Sequence, residues 1–148
     1  MSRQALVLDA NILVRAVLGQ RVFKLLNQYY DTTAFFAPDE AFADAEKYLP
    51  PIFAARGLDW GVGAAVLSRL PTLVQCIEFD VYSEFETSAR QRIRDVRDWP
   101  VLATALALDC PVWTEDQDFF GSGVATWTTS TVTMYLIGAE YLSLFSVN

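Results

Sequence analysis

The run Ala5-Leu-Val-Leu8 is apolar without interruption. It is too short for a core helix and lacks the alternation of a strand with one wet face. Such a run reads as a strand covered on both faces, the habit of parallel sheets layered with helices. Further strand-like runs fall at Thr33 to Ala37, within Thr72 to Phe79, and at Pro111 to Thr114 and Val124 to Trp127. Helical patterns separate them: Ile12 to Leu18 up to Gly19, Val22 to Tyr30, and Pro38 to a break at Pro50-Pro51. They continue with Ile52 to Leu70, interrupted near Gly57 and Gly61, then Val81 to Arg94, Asp98 to Leu108, and Thr129 to about Leu144. This order predicts an α/β fold with a mainly parallel sheet of about five strands. No repeat, linker or shift in composition divides residues 1–148, so a single domain is expected.

Composition narrows the chemistry. Asp or Pro cuts every apolar stretch well short of the ~20 residues that span a bilayer, so no membrane association is expected. Asp9 and Asn11 interrupt the place where an export signal needs an apolar core. The two cysteines, Cys76 and Cys110, lie in or beside strand-like runs and read as buried thiols of a reducing cytoplasm. There is no histidine. That removes Ser-His-Asp and Cys-His catalysis and zinc sites with His ligands, and two cysteines cannot make a cysteine-only zinc site. Eleven basic against eighteen acidic residues leave a net charge of −7. A broad nucleic-acid-binding face needs the opposite sign. An acidic chain acts on phosphates when a divalent cation stands between its carboxylates and the substrate.

In open parallel sheets, ligands bind beyond the carboxyl ends of the strands. Here those ends are acidic. Asp9 directly follows Leu8, Asp116 and Asp118 follow Pro111 to Thr114, and Asp98 precedes the apolar segment from Trp99 to Leu108. Each alone reads equally as a helix cap. Together at one sheet edge they crowd charge: two unit charges ~4 Å apart repel by about 4 kcal/mol at an effective dielectric of 20. A hard cation, Mg²⁺ or Mn²⁺, relieves that repulsion. The helix after Pro38 adds a fourth acid. Its apolar positions, Ala41, Phe42, Ala45, Tyr48, Leu49 and Ile52, centre near Ala45. Asp44 stands roughly 100° from that centre and Glu40 roughly 140°, so Asp44 is the better placed at a cleft edge. Glu40 remains an alternative, and both also read as a solvated face.

The motifs resemble those of PIN domains. Leu8-Asp9-Ala10-Asn11-Ile12-Leu13 resembles that family's opening motif, and Asp98-Trp-Pro-Val-Leu-Ala-Thr-Ala-Leu its third-acid motif. Thr114-Glu-Asp116-Gln-Asp118-Phe119 resembles its Thr-x-Asp-x-Asp-Phe motif, and Ala37-Pro38 followed by Asp44 keeps the spacing of its second motif. The family usually carries Glu where Asp44 stands, one methylene longer. The resemblance covers nearly the whole chain. It implies a three-layer α/β/α sandwich and a Mg²⁺- or Mn²⁺-dependent ribonuclease, in many small members the toxin of a toxin–antitoxin pair. It also implies an antitoxin partner and, with the apolar composition, a homodimer.

On this reading Asp9, Asp98, Asp116 and Asp44 hold the metal, with Asp118 auxiliary or capping a turn. Asn11 and Thr114 support the carboxylates, their plainer readings being a turn residue and a strand end. Arg90, Arg92, Arg94 and Arg97 form the one local basic excess and would steer RNA phosphates, or else simply solvate a helix end. Arg15 and Arg21 extend that edge. The tryptophans read as core rather than stacking surface. Two other classes compete. A haloacid-dehalogenase-type phosphatase wants Asp where Asn11 stands, and a phospho-receiver wants a late Lys, whereas the only lysines are Lys24 and Lys47. A non-catalytic PIN-like interaction module is the third reading, supported by the change to Asp44.

Overall fold

The computed structural model describes residues 4–145, with side chains through Gly138. Five strands, β1 (Gln4–Leu8), β2 (Thr33–Pro38), β3 (Val74–Ile77), β4 (Val112–Trp113) and β5 (Thr126–Trp127), form one sheet in the order β3-β2-β1-β4-β5. All four pairings are parallel. Central β1 explains its own apolar run. Leu6 and Leu8 point into one core and Val7 into the other, and all three are fully buried.

One core lies under α1 (Ala10–Leu18), α2 (Arg21–Tyr29), α3 (Asp39–Ala55), α4 (Trp60–Arg69) and α8 (Val132–Phe145), where Ile12, Leu26, Leu49 and Leu136 pack on Leu6, Phe35 and Trp113. The other lies under α5 (Phe79–Tyr82), α6 (Glu86–Arg92) and α7 (Trp99–Leu108), where Tyr82, Ala89 and Leu102 meet Val7 and Val112. The result is a three-layer α/β/α sandwich. The chain runs outward from β1 through β2 to β3, then crosses back to place β4 on the opposite side of β1. Strand order therefore reverses between β1 and β4, and a crevice opens beyond their carboxyl ends.

Several local expectations are corrected. Helix α3 runs through Pro50-Pro51 to Ala55. The carbonyls that two prolines leave without amide partners belong to Glu46 and Lys47, which are exposed, so water can take the lost bonds. The break falls instead at Gly57, in the left-handed region at φ +66°. Gly61 sits inside α4, its N–H capped by Asp59 at 2.9 Å. The apolar stripe of α3 is Ala41, Ala45, Leu49 and Phe53, an i,i+4 series, and Tyr48 stands outside it, exposed. The segment expected as one helix from Val81 to Arg94 is α5, a 3₁₀ turn at Ser83–Phe85, and α6. Near-bridge backbone at Tyr82 (φ −104°, ψ −7°) and Phe85 (φ −97°, ψ 7°) tightens it there. Of the two thiols, Cys76 is exposed and Cys110 only partly buried, because β3 is a sheet edge that leaves both Gln75 and Cys76 in water. Trp99 and Trp113 are buried in the cores. Among the described residues no helix is long and apolar enough to cross a membrane.

The close packing of α4 on α3 at Gly63 generates a stability test. A Cβ on Gly63 would lie 2.5 Å from Phe53 Cζ and 2.9 Å from Trp60 Cε3. Gly63→Ala should lower stability by about 1–3 kcal/mol in urea unfolding. Gly138→Ala, facing open space, should raise it by about 0.5–1 kcal/mol.

Candidate metal centre

The parallel register aligns Leu8 with Trp113, so the residues that follow them, Asp9 and Thr114, emerge side by side. A bond from the Asp9 amide to the Trp113 carbonyl (3.0 Å) continues the ladder into the crevice. Thr114 Oγ1 donates to Asp9 Oδ2 at 2.7 Å. Asn11 Nδ2 donates to the same carboxylate oxygen at 3.2 Å and to Thr114 Oγ1 at 3.3 Å. The Asn11 Oδ1 accepts from the Glu115 amide at 3.2 Å. The Asp116 amide donates to Thr114 Oγ1 at 2.9 Å. Asp9 also caps α1, its Oδ1 accepting from the Ala10 amide at 2.7 Å. Asp116 caps the 3₁₀ turn Gln117–Phe119 by accepting from the Asp118 amide at 2.9 Å. Asp98 precedes α7 without making a capping bond.

Asp9, Asp98 and Asp116 each bring a carboxylate oxygen within 4.8 Å of the others. Asp9 is only 6% exposed, and Asp98 Oδ2 is buried with no hydrogen-bond partner among the described residues. Burial, the neighbouring Asp9 charge and contact with the Asp116 carboxylate push the Asp98 carboxyl up to about 8. Burial also raises Asp9, partly offset by the Thr114 and Ala10 hydrogen bonds and reinforced by Asp116 and Asp44. Asp44 is raised by burial, with Lys47 opposing. The donor set is hard oxygen throughout, at mutual spacing that suits Mg²⁺ or Mn²⁺.

These acids line a cavity of about 510 Å³ together with Asn11, Arg15, Asp44, Tyr48, Asp95 and Arg97. Glu40 lies outside the lining, one turn before Asp44 on α3, exposed and raised by burial and by Asp44. Asp118 belongs to a second close group, with Asp95 and Asp98. The arginines diverge. Arg97 stands at the cavity, its guanidinium forked onto Asp95 at 3.1 and 2.8 Å, which holds the Asp95 carboxyl below its ordinary range. Arg90 pairs with Glu86 at 2.7 Å and lies over the Trp99 ring. Arg92 reaches the Ser122 carbonyl at 3.5 Å. Arg94 is exposed and, among the described residues, makes no ion pair. Arg21 reaches the Thr129 carbonyl at 3.4 Å. Sequence reasoning overlooked Asp95 and Tyr48 as cavity residues. The spacing of Tyr48, four after Asp44, was the available signal.

A family model described as PIN domain matches residues 7–137. No curated protein matches the chain. Among solved structures, PAE2754 from Pyrobaculum aerophilum is similar at a TM-score of 0.69 and 17% identity, over 92% of this chain and 90% of that one. VapBC2 from Rickettsia felis, solved bound to a DNA fragment from its promoter, gives a TM-score of 0.60 at 15% identity over 84% and 98%. A toxin–antitoxin complex from Klebsiella pneumoniae gives 0.52 at 20% over 83% and 96%.

The raised carboxyls make a signed prediction. Between the ordinary range of Asp and about pH 8 the folded chain binds more protons than the unfolded one, through Asp98 above all. Stability of the metal-free protein should therefore fall as pH rises from 5.5 to 8.5, read by thermal unfolding in a chelator. Asp98→Asn should flatten that slope and raise the midpoint at pH 8.5. Mn²⁺ should reverse it, since the cation binds the charged form. A flat profile for the metal-free parent would contradict the assigned charge crowding.

Proposed function

This chain belongs to the PIN-domain family, and on that footing we propose that it is a divalent-metal-dependent endoribonuclease, the toxin of a toxin–antitoxin pair. The observation that carries this reading is the convergence of Asp9, Asp98 and Asp116 in the cavity, with one buried Asp98 oxygen left without a hydrogen-bond partner among the described residues. An open carboxylate oxygen in a crowded acidic crevice is a ligand position. When bound there, Mg²⁺ or Mn²⁺ supplies an activated water and offsets charge growing on the phosphate.

The chain's own residues have distinct tasks. Asp9, Asp98 and Asp116 are the inner ligands, and Asp44, across the cavity on α3, completes the set directly or through water. Asp44 is one methylene shorter than the Glu usual in the family, and Glu40 is the neighbour able to assist. Thr114 and Asn11 lock Asp9 in one rotamer, so the ligand geometry precedes occupancy. Asp118, with Asp95, is the auxiliary acid beside Asp98. Arg97 and Arg15 flank the acids and suit a phosphodiester held against them. Arg90, Arg92 and Arg94 extend the basic edge for backbone farther from the cut.

An antitoxin partner and a homodimeric, cytoplasmic protein belong to the same proposal. Its support is family membership together with structural neighbours solved as toxin–antitoxin complexes. A non-catalytic interaction module is the second reading, favoured by Asp44 alone.

The test is RNA cleavage with Mn²⁺ or Mg²⁺ alongside calorimetric Mn²⁺ titration. Asp9→Asn should abolish both. Thr114→Val should weaken metal affinity about 10–100-fold, the scale seen when an outer-shell partner is lost. Intact cleavage by Asp9→Asn sinks the mechanism. Mn²⁺ binding without any cleavage favours the interaction module.

A further inference from the structure

The acids of the crevice stand on two kinds of support. Asp9 and Asp116 lie just beyond the paired strands β1 and β4. Asp44 and Asp98 belong to helices, Asp44 in the second turn of α3 and Asp98 directly before α7. Neither helix start has a side-chain cap, since Pro38 and Asp98 make no capping bond. One residue of α5 touches both starts. Tyr82 is fully buried. Its hydroxyl donates to Asp39 Oδ1 at 2.6 Å, in the first turn of α3, and the same oxygen accepts from the Glu40 amide at 2.8 Å. Its ring packs on Trp99, the first residue of α7, with centroids 5.7 Å apart. Phe79 closes the aromatic triad against both rings, at 5.6 and 6.1 Å. Core packing explains the ring, and phenylalanine would supply it equally. It does not explain the hydroxyl, which costs free energy to bury unless it is bonded. The bond it makes is to the helix that carries Asp44. Burial and the Asp39 hydrogen bond hold the phenol far above its usual range, so it remains a donor.

We propose that Tyr82 is a positioning residue of the metal centre: its hydroxyl, bonded to Asp39, sets the distance between Asp44 on α3 and Asp98 on α7, and with it the affinity for the cation. The inference rests on the metal-dependent reading above and concerns a residue outside the cavity lining. Tyr82 acts through the two helices it joins, by a hydrogen bond to α3 and by ring packing on α7. Phenylalanine in its place keeps the packing, and so the place of α7, while releasing the start of α3. A small divalent ion tolerates little departure from its preferred ligand geometry. A shift of α3 by a fraction of an ångström is therefore felt at Asp44.

The readout is Mn²⁺ affinity by calorimetry, with thermal unfolding alongside to establish that each variant is folded. Tyr82→Phe should weaken binding about 3- to 30-fold. Asp39→Ala, which removes the acceptor, should do the same. Asp39→Asn should bind within about twofold of the parent, because its amide oxygen still accepts from the hydroxyl. A double-mutant cycle decides the route. Asp44→Asn alone should weaken binding, and adding Tyr82→Phe should weaken it no further, since the carboxylate through which the hydroxyl acts is gone. A tyrosine with a merely structural role would lower the unfolding midpoint of Tyr82→Phe and leave its Mn²⁺ affinity unchanged, and that outcome overturns the proposal. Full additivity of Tyr82→Phe with Asp44→Asn overturns it too. Asp9→Asn separates the failures. If the parent binds no Mn²⁺, or Asp9→Asn binds it equally, the metal-centre reading falls and takes the role of Tyr82 with it. If binding depends on Asp9 and Tyr82→Phe binds as the parent does, only the positioning role falls.

Discussion

The parallel pairing of β1 with β4 is the constraint on which the rest depends. Its register aligns Leu8 with Trp113 and so delivers Asp9 and Thr114 to the same edge at the same height. A slip of one residue would turn each side chain to the other face of the sheet, sending Asp9 toward a core. Two apolar cores hold the register. Leu8 and Trp113 are wholly buried on one side, and Val7 and Val112 on the other. The polar crevice is thus positioned by hydrophobic packing a single residue away.

That packing holds together something electrostatics opposes. Three carboxylates within 4.8 Å, one of them nearly sealed from water, are an arrangement that no net attraction within the chain favours. Hydrogen bonds mitigate it unevenly. Asp9 receives three donors, from Ala10, Asn11 and Thr114. Asp98 keeps one buried oxygen without a hydrogen-bond partner among the described residues, and burial beside Asp9 and Asp116 pushes its carboxyl up to about 8. Crowded carboxylates, with Asp9 already fixed by its donors, would suit a ligand set arranged before its cation.

Much of this was legible in the sequence because the signals are local. An apolar run ending in Asp declares a buried strand and a polar edge in five residues, Ala5 to Asp9, and an Asp before an apolar helix does the same for α7. What escaped depends on surroundings. Pro50-Pro51 reads as a stop because proline removes two helix bonds, yet the carbonyls left over face water and the helix continues. Cys76 reads as buried because its strand is apolar, but β3 is a sheet edge, and strand order is not written locally. Tyr48 reads as core by periodicity. It lies outside the stripe because the buried positions follow an i,i+4 track that ends on Phe53. Asp95 carries no sequence signal of its own, and only the fold shows that its ion pair with Arg97 stands at the cavity.

The same geometry bears on how a chain of net charge −7 would handle the polyanion of the proposed function. Long-range attraction cannot come from the whole surface, since the field of the molecule as a whole repels phosphate. At physiological salt, however, exposed charges more than a Debye length away, about 8 Å, are largely screened, and the local set decides. On the proposed function, the five acids of the cavity would need a cation before any phosphate could approach, while Arg15 and Arg97, the latter paired with Asp95, line the same wall. Under the proposed function, the acidity of the site would therefore work as a gate. On that reading the crevice would repel phosphates without a divalent ion, and a bound ion would add to the attraction of its arginines. A permanently basic crevice would bind nucleic acid whether or not it could cut it. An acidic crevice would confine binding to the metal-loaded state, in which the proposed hydrolysis could follow.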